Sequence, residues 1–362
     1  MKINVLSLLL IFSFCLSAQQ YDGFSFNPEQ YVARQSITPL EVDGKLDEES
    51  WQLAKWSNDF VDIEGEHAIS QPYRRTRVKM LWDANYFYVG AEMMETHIWA
   101  TYRERDTVIF DENDFEVFID PEGDSHHYYE LEINALGTIW DLMLSKPYRD
   151  GGIALDAWDI RGLKSAVHID GTLNNPSDTD HKWSVELAFP WKVLEEAAKT
   201  TGTPREGEQW RINFSRVHWK IHEVNGVYQK DINPNTGKHF SPYNWVWSAQ
   251  GKIAMHQPET WGYVQFSKAT VGQGNILFEE NPLESIKWSL YNLYYAQLEH
   301  LKIKGTYQPA IEKLKLKRNH LNELTPYVSI TVSPISFDAI YYKREILLSI
   351  DQEGKLQNLS KP

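Results

Sequence analysis

Short segments with alternating polar and apolar residues recur throughout Ile37–Ser267, and most of them end at a turn-forming sequence. In Tyr128–Asn134, for example, glutamate and asparagine occupy every second position from Glu130 onwards, and apolar residues stand between them. A period of two places one set on each face of a β-strand. Short strands at intervals of roughly 8–12 residues are typical of two packed sheets. The sequence therefore predicts a mainly β fold, a two-sheet antiparallel β-sandwich of the jelly-roll type.

The pattern changes after this region. Between Pro282 and Lys304, apolar residues recur at the three-to-four residue spacing of a helix, and Gly305 is suited to end that helix. Two later segments read as strands, Tyr327–Val332 and Ile340–Ile350. We therefore expect two domains, the sandwich over residues 34–268 and a small C-terminal α+β appendage over residues 275–362.

The N-terminus has the features of a signal peptide. Lys2 supplies a positive charge, and the apolar run that follows is too short to span a membrane. Small residues before position 19 predict cleavage after Ala18, so residues 1–18 are excluded from the fold. The single cysteine, Cys15, lies in this segment, and lipidation there is disfavoured because Phe14 stands where a small residue is normally required. We expect a secreted, periplasmic or cell-surface protein without disulfides.

The charge of the chain argues against some classes of binding partner. The formal net charge is −14. Nucleic-acid binding needs basic surfaces that neutralise phosphate, and anionic membranes also attract basic segments. The composition therefore argues against nucleic acid and against an anionic membrane surface, and no later segment is apolar enough for a transmembrane span.

An acidic motif opens the predicted sandwich, Val42–Trp51. Asp43-Gly44 favours a turn, and Asp47 is placed to cap a one-turn helix that brings Trp51 into the core. The alternative is that its carboxylates bind Ca²⁺, which prefers several oxygen ligands. The spacing does not match an EF-hand loop, which favours the structural interpretation.

A second polar motif runs through Asn113–Pro121 and Tyr128–Asn134. Strand parity places Glu116 on the polar face of the first segment, and Glu132 with Asn134 on the polar face of the next. Carboxylates accept hydrogen bonds from sugar hydroxyls, and an asparagine both donates and accepts them. The two strands therefore predict a surface that recognises hydroxyl groups. A sheet face that is merely solvated is the alternative.

These segments are similar to the family 9 carbohydrate-binding modules, which belong to the DOMON-like group of sandwiches. The likeness covers roughly Ile37–Ser267, and the longer run that ends at Gly152 resembles a subgroup of secreted bacterial proteins. The similar pieces are Val42–Glu48, Val78–Val89, Asp114–Asp120 and Trp261-Gly262. The resemblance implies a non-catalytic protein for polysaccharide capture or catabolism, with an oligo- or polysaccharide as its partner. It also implies Ca²⁺ in a structural role and no other cofactor.

The resemblance further implies a site in which two tryptophans clamp a terminal sugar, held by glutamate, arginine and an amide side chain. The glutamate corresponds to Glu116 and the first tryptophan to Phe110, which is still aromatic. The arginine falls near Glu132, which reverses the charge, and the second tryptophan falls near Met255, which is not aromatic. The expected ligand is therefore a carbohydrate bound differently from a glucan reducing end.

The candidate carbohydrate-binding residues combine hydrogen-bonding and stacking groups. Glu116 and Asn134 are expected to bind hydroxyls, while Phe110 and Trp140 contact ring faces. The chain contains 14 Trp and 19 Tyr, so packing in the core is the alternative for each aromatic residue. The full set is Phe110, Glu116, Glu132, Asn134, Trp140, Arg216 and Trp219.

A glycoside hydrolase is the first alternative function. Such an enzyme uses two carboxylates about 5–9.5 Å apart. Glu116 with Glu132, or Asp114 with Glu130, would supply such a pair, with Glu116 as a catalytic carboxylate. In a chain this acidic, however, such pairs also arise by chance, and no attached catalytic domain is recognisable.

Two further alternatives involve metals. Some DOMON-like sandwiches hold haem through methionine and histidine, but the sequence does not single out a ligand pair. The methionines in question are Met93, Met94, Met143 and Met255. A metal site at Asp124, His126 and His127 is also conceivable, although adjacent residues of a strand point to opposite faces.

Overall fold

The computed structural model describes residues 27–360, so the predicted signal peptide lies outside the described residues. A 13-stranded sheet forms most of the fold. Its strands are β1 (Gln30–Gln35), β2 (Val61–Asp62), β3 (Thr76–Trp82), β4 (Tyr86–Met94), β5 (Asp114–Asp120), β6 (Tyr128–Asn134), β7 (Ile139–Leu144), β8 (Ala154–Leu155), β9 (Lys164–Asp170), β10 (Lys182–Pro190), β11 (Gln209–His218), β14 (Tyr243–Val246) and β15 (Gly262–Thr270). A separate hairpin, β12 (Ile221–Val224) with β13 (Val227–Lys230), follows β11.

Strand β1 joins the two layers of the sandwich, because it pairs with β15 on one side and β3 on the other. The strand order is β8-β7-β6-β5-β11-β15-β1-β3-β4-β10-β9, and β14 pairs with β11 and with β2. Pairing is antiparallel except at β1, which runs parallel to both β15 and β3. Contacts such as that of Arg216 on β11 with Thr76 on β3 link strands that are not neighbours in this order. The predicted mainly β sandwich is confirmed, with β1 as a parallel connection between its layers.

Aromatic side chains fill the core between the layers. Trp210 and Phe266 lie 5.1 Å apart between ring centroids, and Trp82 and Trp191 pack beside them. Edge-to-face pairs of this kind add to the free energy of area burial. Many of the 14 tryptophans therefore stabilise the fold.

The acidic opening motif has a structural role in part as predicted. Helix α1 (Glu49–Leu53) brings Trp51 into the interior, where its indole N–H donates to Glu186 at 2.9 Å. Asp47 does not cap the helix, because the N-cap position falls at Glu48 and no side chain caps it. Glu186 instead organises the motif by accepting the backbone N–H of Gly44 at 3.1 Å.

The C-terminal region is a four-stranded sheet with two helices. Its elements are α3 (Glu284–Lys304), α4 (Arg318–Leu324), β16 (Val328–Val332), β17 (Phe337–Lys343), β18 (Ile346–Asp351) and β19 (Leu356–Asn358); the earlier helix α2 (Trp191–Leu194) follows β10. Gly305 ends α3 in the left-handed conformation as predicted, with φ of 73°. The single strand predicted over Ile340–Ile350 is wrong, since a turn divides it into β17 and β18. Arg344, which has φ of 58°, lies in that turn.

Charged contacts fasten this region to the sandwich. Arg149 of the sandwich, which lies 2.9 Å from Glu259 of the same region, donates to the Tyr294 hydroxyl of α3. Arg211 of β11 pairs with Glu284 at 2.8 Å. Within residues 27–360, no helix has both the length and the apolarity needed to cross a membrane.

Candidate functional site

Acidic residues of β5 and β6 meet on the face of the sheet that points away from the aromatic core. Glu116 lies directly opposite Glu132, and Asp114 lies opposite Asn134. On the other side of β5, Ser215 of β11 is the partner of Glu116. Directly opposed residues share a face and place their Cβ atoms close together. The register therefore assembles the acidic cluster, which we define as Asp114, Glu116 and Glu132.

The acidic cluster is buried. Asp114 is 0%, Glu116 4% and Glu132 1% exposed, and one carboxylate oxygen of each lies within 4.8 Å of the others. The short turn Ile109–Asp111 covers β6 at this point, and Phe110 donates its backbone N–H to Glu132 Oε2 at 2.9 Å. This polar face is therefore not solvated, which excludes the alternative proposed for it.

Burial raises the pKa of each carboxyl group in the acidic cluster. It brings the pKa of Glu116 to about 7. The pKa values of Asp114 and Glu132 rise well above their ordinary range, first through burial and then through the negative charge of neighbouring carboxylates. Glu130, the next acid on the same face, is shifted in the same direction by burial and by Glu116.

Each member of the acidic cluster keeps one oxygen without a hydrogen bond within the described chain. These atoms are Asp114 Oδ2, Glu116 Oε2 and Glu132 Oε1. Ser215 lies beside Glu116, and its hydrogen bond to that carboxyl acts against burial on the pKa of Glu116. Buried polar atoms normally have partners, so three unsatisfied carboxyl oxygens at one place mark a candidate binding site.

Aromatic side chains form an accessible rim around the acidic cluster. We define the aromatic rim as Phe110, Trp140, Tyr148 and Trp219. Phe110 is 42% and Tyr148 48% exposed. The rings of Phe110 and Trp140 are 6.3 Å apart at a tilt of 31°, and the Trp219 indole donates to the Phe110 carbonyl at 3.0 Å. Three of the four rim residues were predicted from the sequence, and the fourth, Tyr148, begins the short 3-10 helix Tyr148–Asp150.

Asn134 lies in the same sheet but has other partners. Its Oδ1 accepts the backbone N–H groups of Leu136 and Thr138, both at 3.0 Å. Its Nδ2 donates to the Tyr102 carbonyl at 2.9 Å. The side chain therefore organises the turn between β6 and β7.

Arg216 lies on the opposite face of β11, within the sandwich. Its guanidinium is 2.8 Å from Glu95 Oε2 and donates to the Thr76 hydroxyl at 3.0 Å. His218 and Arg74 both approach Glu95 to 3.3 Å. We define the compensated cluster as Arg74, Glu95, Arg216 and His218. The sequence did not predict this cluster, because its members come from segments more than 100 residues apart.

The structure also places residues that the sequence suggested for sugar clamping, haem binding or metal binding. Met255 packs near the buried Trp261, whose indole N–H donates to the Met255 carbonyl at 3.0 Å. His126 is buried beside Glu353, whereas His127 is exposed. Within residues 27–360, the acidic cluster is the one group of three or more His, Cys, Asp or Glu side chains whose ligand atoms are close enough to share a metal ion.

A sequence model of the family described as "Carbohydrate family 9 binding domain-like" matches residues 42–269, well over half of the chain. The chain belongs to this family. The predicted resemblance is thereby confirmed, and the match contains both the acidic cluster and the aromatic rim. A comparison with curated proteins found no match.

Solved structures with partial similarity include relatives of the same family. A family 9 carbohydrate-binding module from Caldicellulosiruptor kristjanssonii with cellotriose is 14% identical, covering 70% of this chain and 100% of its own, with a TM-score of 0.42. The glucose complex is 15% identical, covering 68% and 98%, with a TM-score of 0.40. A protein from Bacteroides uniformis ATCC 8492, whose proposed role is carbohydrate binding, is 13% identical, covering 67% and 100%, at 0.47.

Proposed function

We propose that this protein is a secreted, non-catalytic carbohydrate-binding protein that captures an oligo- or polysaccharide. The observation that carries the proposal is the family membership of residues 42–269. The aromatic rim supports it, because partly exposed rings beside polar groups suit the apolar faces and hydroxyl edges of sugars.

The rim gives the proposed binding mode. Phe110 and Trp140 are tilted by 31°, so they present neighbouring ring faces to one ligand. Trp219 is anchored beside Phe110 and carries the Lys230 ammonium 3.7 Å from its ring centre. A sugar chain lying across these rings would contact several aromatic faces at once.

The burial of the carboxylates supports a non-catalytic role. A general acid must reach the glycosidic oxygen within hydrogen-bond distance. Glu116 and Glu132 are nearly inaccessible beneath the rim. A sugar held on the rim would therefore not reach Glu116 and Glu132, the carboxyl pair of the hydrolase hypothesis.

A glycan array followed by calorimetric titration of the best ligand tests the proposal. We expect Phe110→Ala and Trp140→Ala to weaken binding about tenfold each, since stacking of a ring on an aromatic side chain contributes roughly 1–3 kcal/mol by analogy with bases. Tyr342→Ala is the matched control, because Tyr342 is 61% exposed on the distant β17. The proposal fails if the wild type binds no glycan, and release of reducing ends would establish the hydrolase instead.

The proposed location has its own test. Expression with residues 1–18 in a bacterial host should yield an exported protein that begins at Gln19. Mass spectrometry of the exported chain distinguishes this product from a lipidated one beginning at Cys15.

A further inference from the structure

We propose that a pocket between the sandwich and the C-terminal region binds an amino sugar, which is a sugar ring that carries a protonated amine. The pocket has a volume of about 380 Å³ and lies between strands β1, β11 and β15 on one side and helices α3 and α4 on the other. Small ligands bind preferentially in cavities of this size at domain boundaries. We define the junction pocket by Gln30, Gln209, Glu280, Trp288, Asn319 and Glu323.

The junction pocket is a different site from the aromatic rim. None of the four rim residues lines it, and of its six defining residues only Gln209 lies within residues 42–269, the part of the chain that matches the family. Binding there would come from the combination of the sandwich with its C-terminal region. It does not depend on the proposed capture of a polysaccharide at the rim.

Two carboxylates give the junction pocket its negative charge. Glu323 of α4 accepts hydrogen bonds from the hydroxyls of Ser285 and Ser289, both at 2.6 Å. Glu280 accepts a hydrogen bond from the Gln30 amide at 3.0 Å. Within residues 27–360, no salt bridge joins either glutamate to a cation within 4.0 Å. A carboxylate has about four acceptor positions, so both glutamates can also accept hydrogen bonds from an ammonium group.

The other ionisable groups of the pocket wall do not offset this charge. Arg211 pairs with Glu284 at 2.8 Å, and the Tyr263 hydroxyl donates to the other oxygen of that carboxylate. Burial lowers the pKa of His320, so its imidazole is mainly uncharged at neutral pH. The junction pocket therefore favours a positively charged ligand and disfavours one that carries a carboxylate.

The neutral groups of the pocket suit the rest of such a ligand. Gln30, Gln209 and Asn319 place amides on its wall. Amides both donate and accept hydrogen bonds, as sugar hydroxyls do. Phe278 and Trp288 add aromatic surface, which suits the apolar faces of a sugar ring and attracts an ammonium group. An amino sugar combines the three features that these walls recognise.

Calorimetric titration of the full chain with glucosamine at pH 6.5 tests the site, with glucose, N-acetylglucosamine and glucuronate as comparison ligands. We expect one equivalent of glucosamine to bind at least about tenfold more tightly than glucose, because charge-assisted hydrogen bonds are the stronger ones. N-acetylglucosamine, whose nitrogen is neutral, should lose this advantage. Glucuronate should bind more weakly than glucose.

Variants assign the preference to the carboxylates. Glu323→Gln should abolish the preference for glucosamine over glucose, because it keeps an acceptor for the serine hydroxyls and removes the charge. Glu280→Gln changes an exposed side chain and should lower the preference at least about threefold, so it tests the site even if melting shows that Glu323→Gln does not fold. Glu345→Gln, in the exposed turn between β17 and β18, is the matched control and should bind as the wild type does.

Several results would overturn the proposal. They are no binding of glucosamine to the wild type at millimolar concentrations, equal affinity for glucosamine and glucose, and loss of the preference in Glu345→Gln. Tetramethylammonium binding as tightly as glucosamine would also overturn it, since the site would then recognise the cation alone. Glucosamine binding by a chain that has no ligand on the glycan array would support the junction pocket and refute capture at the rim.

Discussion

Two buried groups of charges lie on opposite faces of the same sheet, and their chemistry differs sharply. In the compensated cluster, burial raises the pKa of Glu95, but His218, Arg216 and Arg74 outweigh that effect and bring it to about 2. In the acidic cluster, burial is not opposed by a cation, and the pKa of Glu116 rises to about 7. Both glutamates are less than one-tenth exposed.

This difference shows that burial alone does not reveal the role of a carboxylate. Glu95 finds its positive partners within the chain, so its charge is part of the fold. Glu116, Asp114 and Glu132 have oxygens without a hydrogen bond within the described chain, and burial raises the pKa of each carboxyl group. The presence or absence of an internal cation separates the structural cluster from the candidate site.

The largest effect should come from breaking the compensated cluster. Arg216→Met strands the buried charge of Glu95, and we expect it to lower the free energy of unfolding by about 3–5 kcal/mol. Urea denaturation at pH 7 measures this loss. The double variant Arg216→Met/Glu95→Met should recover much of it. A loss below about 1 kcal/mol in the single variant would show that the two clusters do not differ as described.

The second-largest effect should be a difference between the two clusters in how stability depends on pH. The pKa of Glu116 is about 7 in the folded state against an ordinary 4.5, so the folded protein holds a proton that the unfolded chain releases. Its stabilisation is complete below pH 4.5 and is lost as the pH rises towards 7. Each pKa unit corresponds to about 1.4 kcal/mol, so the free energy of unfolding should fall by a few kcal/mol over this range.

Urea denaturation between pH 4.5 and 8 measures this loss. Glu116→Gln should flatten the slope of stability against pH. Glu95 should act in the other direction, because its stabilisation is present above pH 4.5 and disappears as the pH falls towards 2. Equal slopes for the wild type and Glu116→Gln would contradict the assignment of this pH dependence to Glu116.

The smallest effect should come from a hydrogen bond at the edge of the compensated cluster. The Tyr73 hydroxyl lies 2.7 Å from His218 Nε2, at the edge of the cluster. Tyr73→Phe removes this hydrogen bond and should cost about 1 kcal/mol, measured by the same denaturation. A loss as large as that of Arg216→Met would mean that the cluster depends on its edge and not on the ion pair.

Local patterns were predictable from the sequence, and long-range contacts were not. Alternation placed the strand Tyr128–Asn134 at its observed bounds and put Glu116 and Glu132 on corresponding faces. Parity does not reveal what covers a face, so the burial of these acids under Phe110 was not predicted. The pairing of Arg216 with Glu95 spans 121 residues and leaves no local signal. The single strand over Ile340–Ile350 failed because its turn contains neither glycine nor proline.

The position of β1 has a consequence for how the protein is made. Gln30 pairs with Tyr263, so the first strand of the sandwich is completed by its last. A ribosome that has delivered β1 must synthesise more than 200 further residues before that partner exists. Contacts this distant in sequence form slowly, and the sandwich stays open throughout synthesis. This delay suits a chain that crosses a membrane before it folds, as the proposed secretion requires.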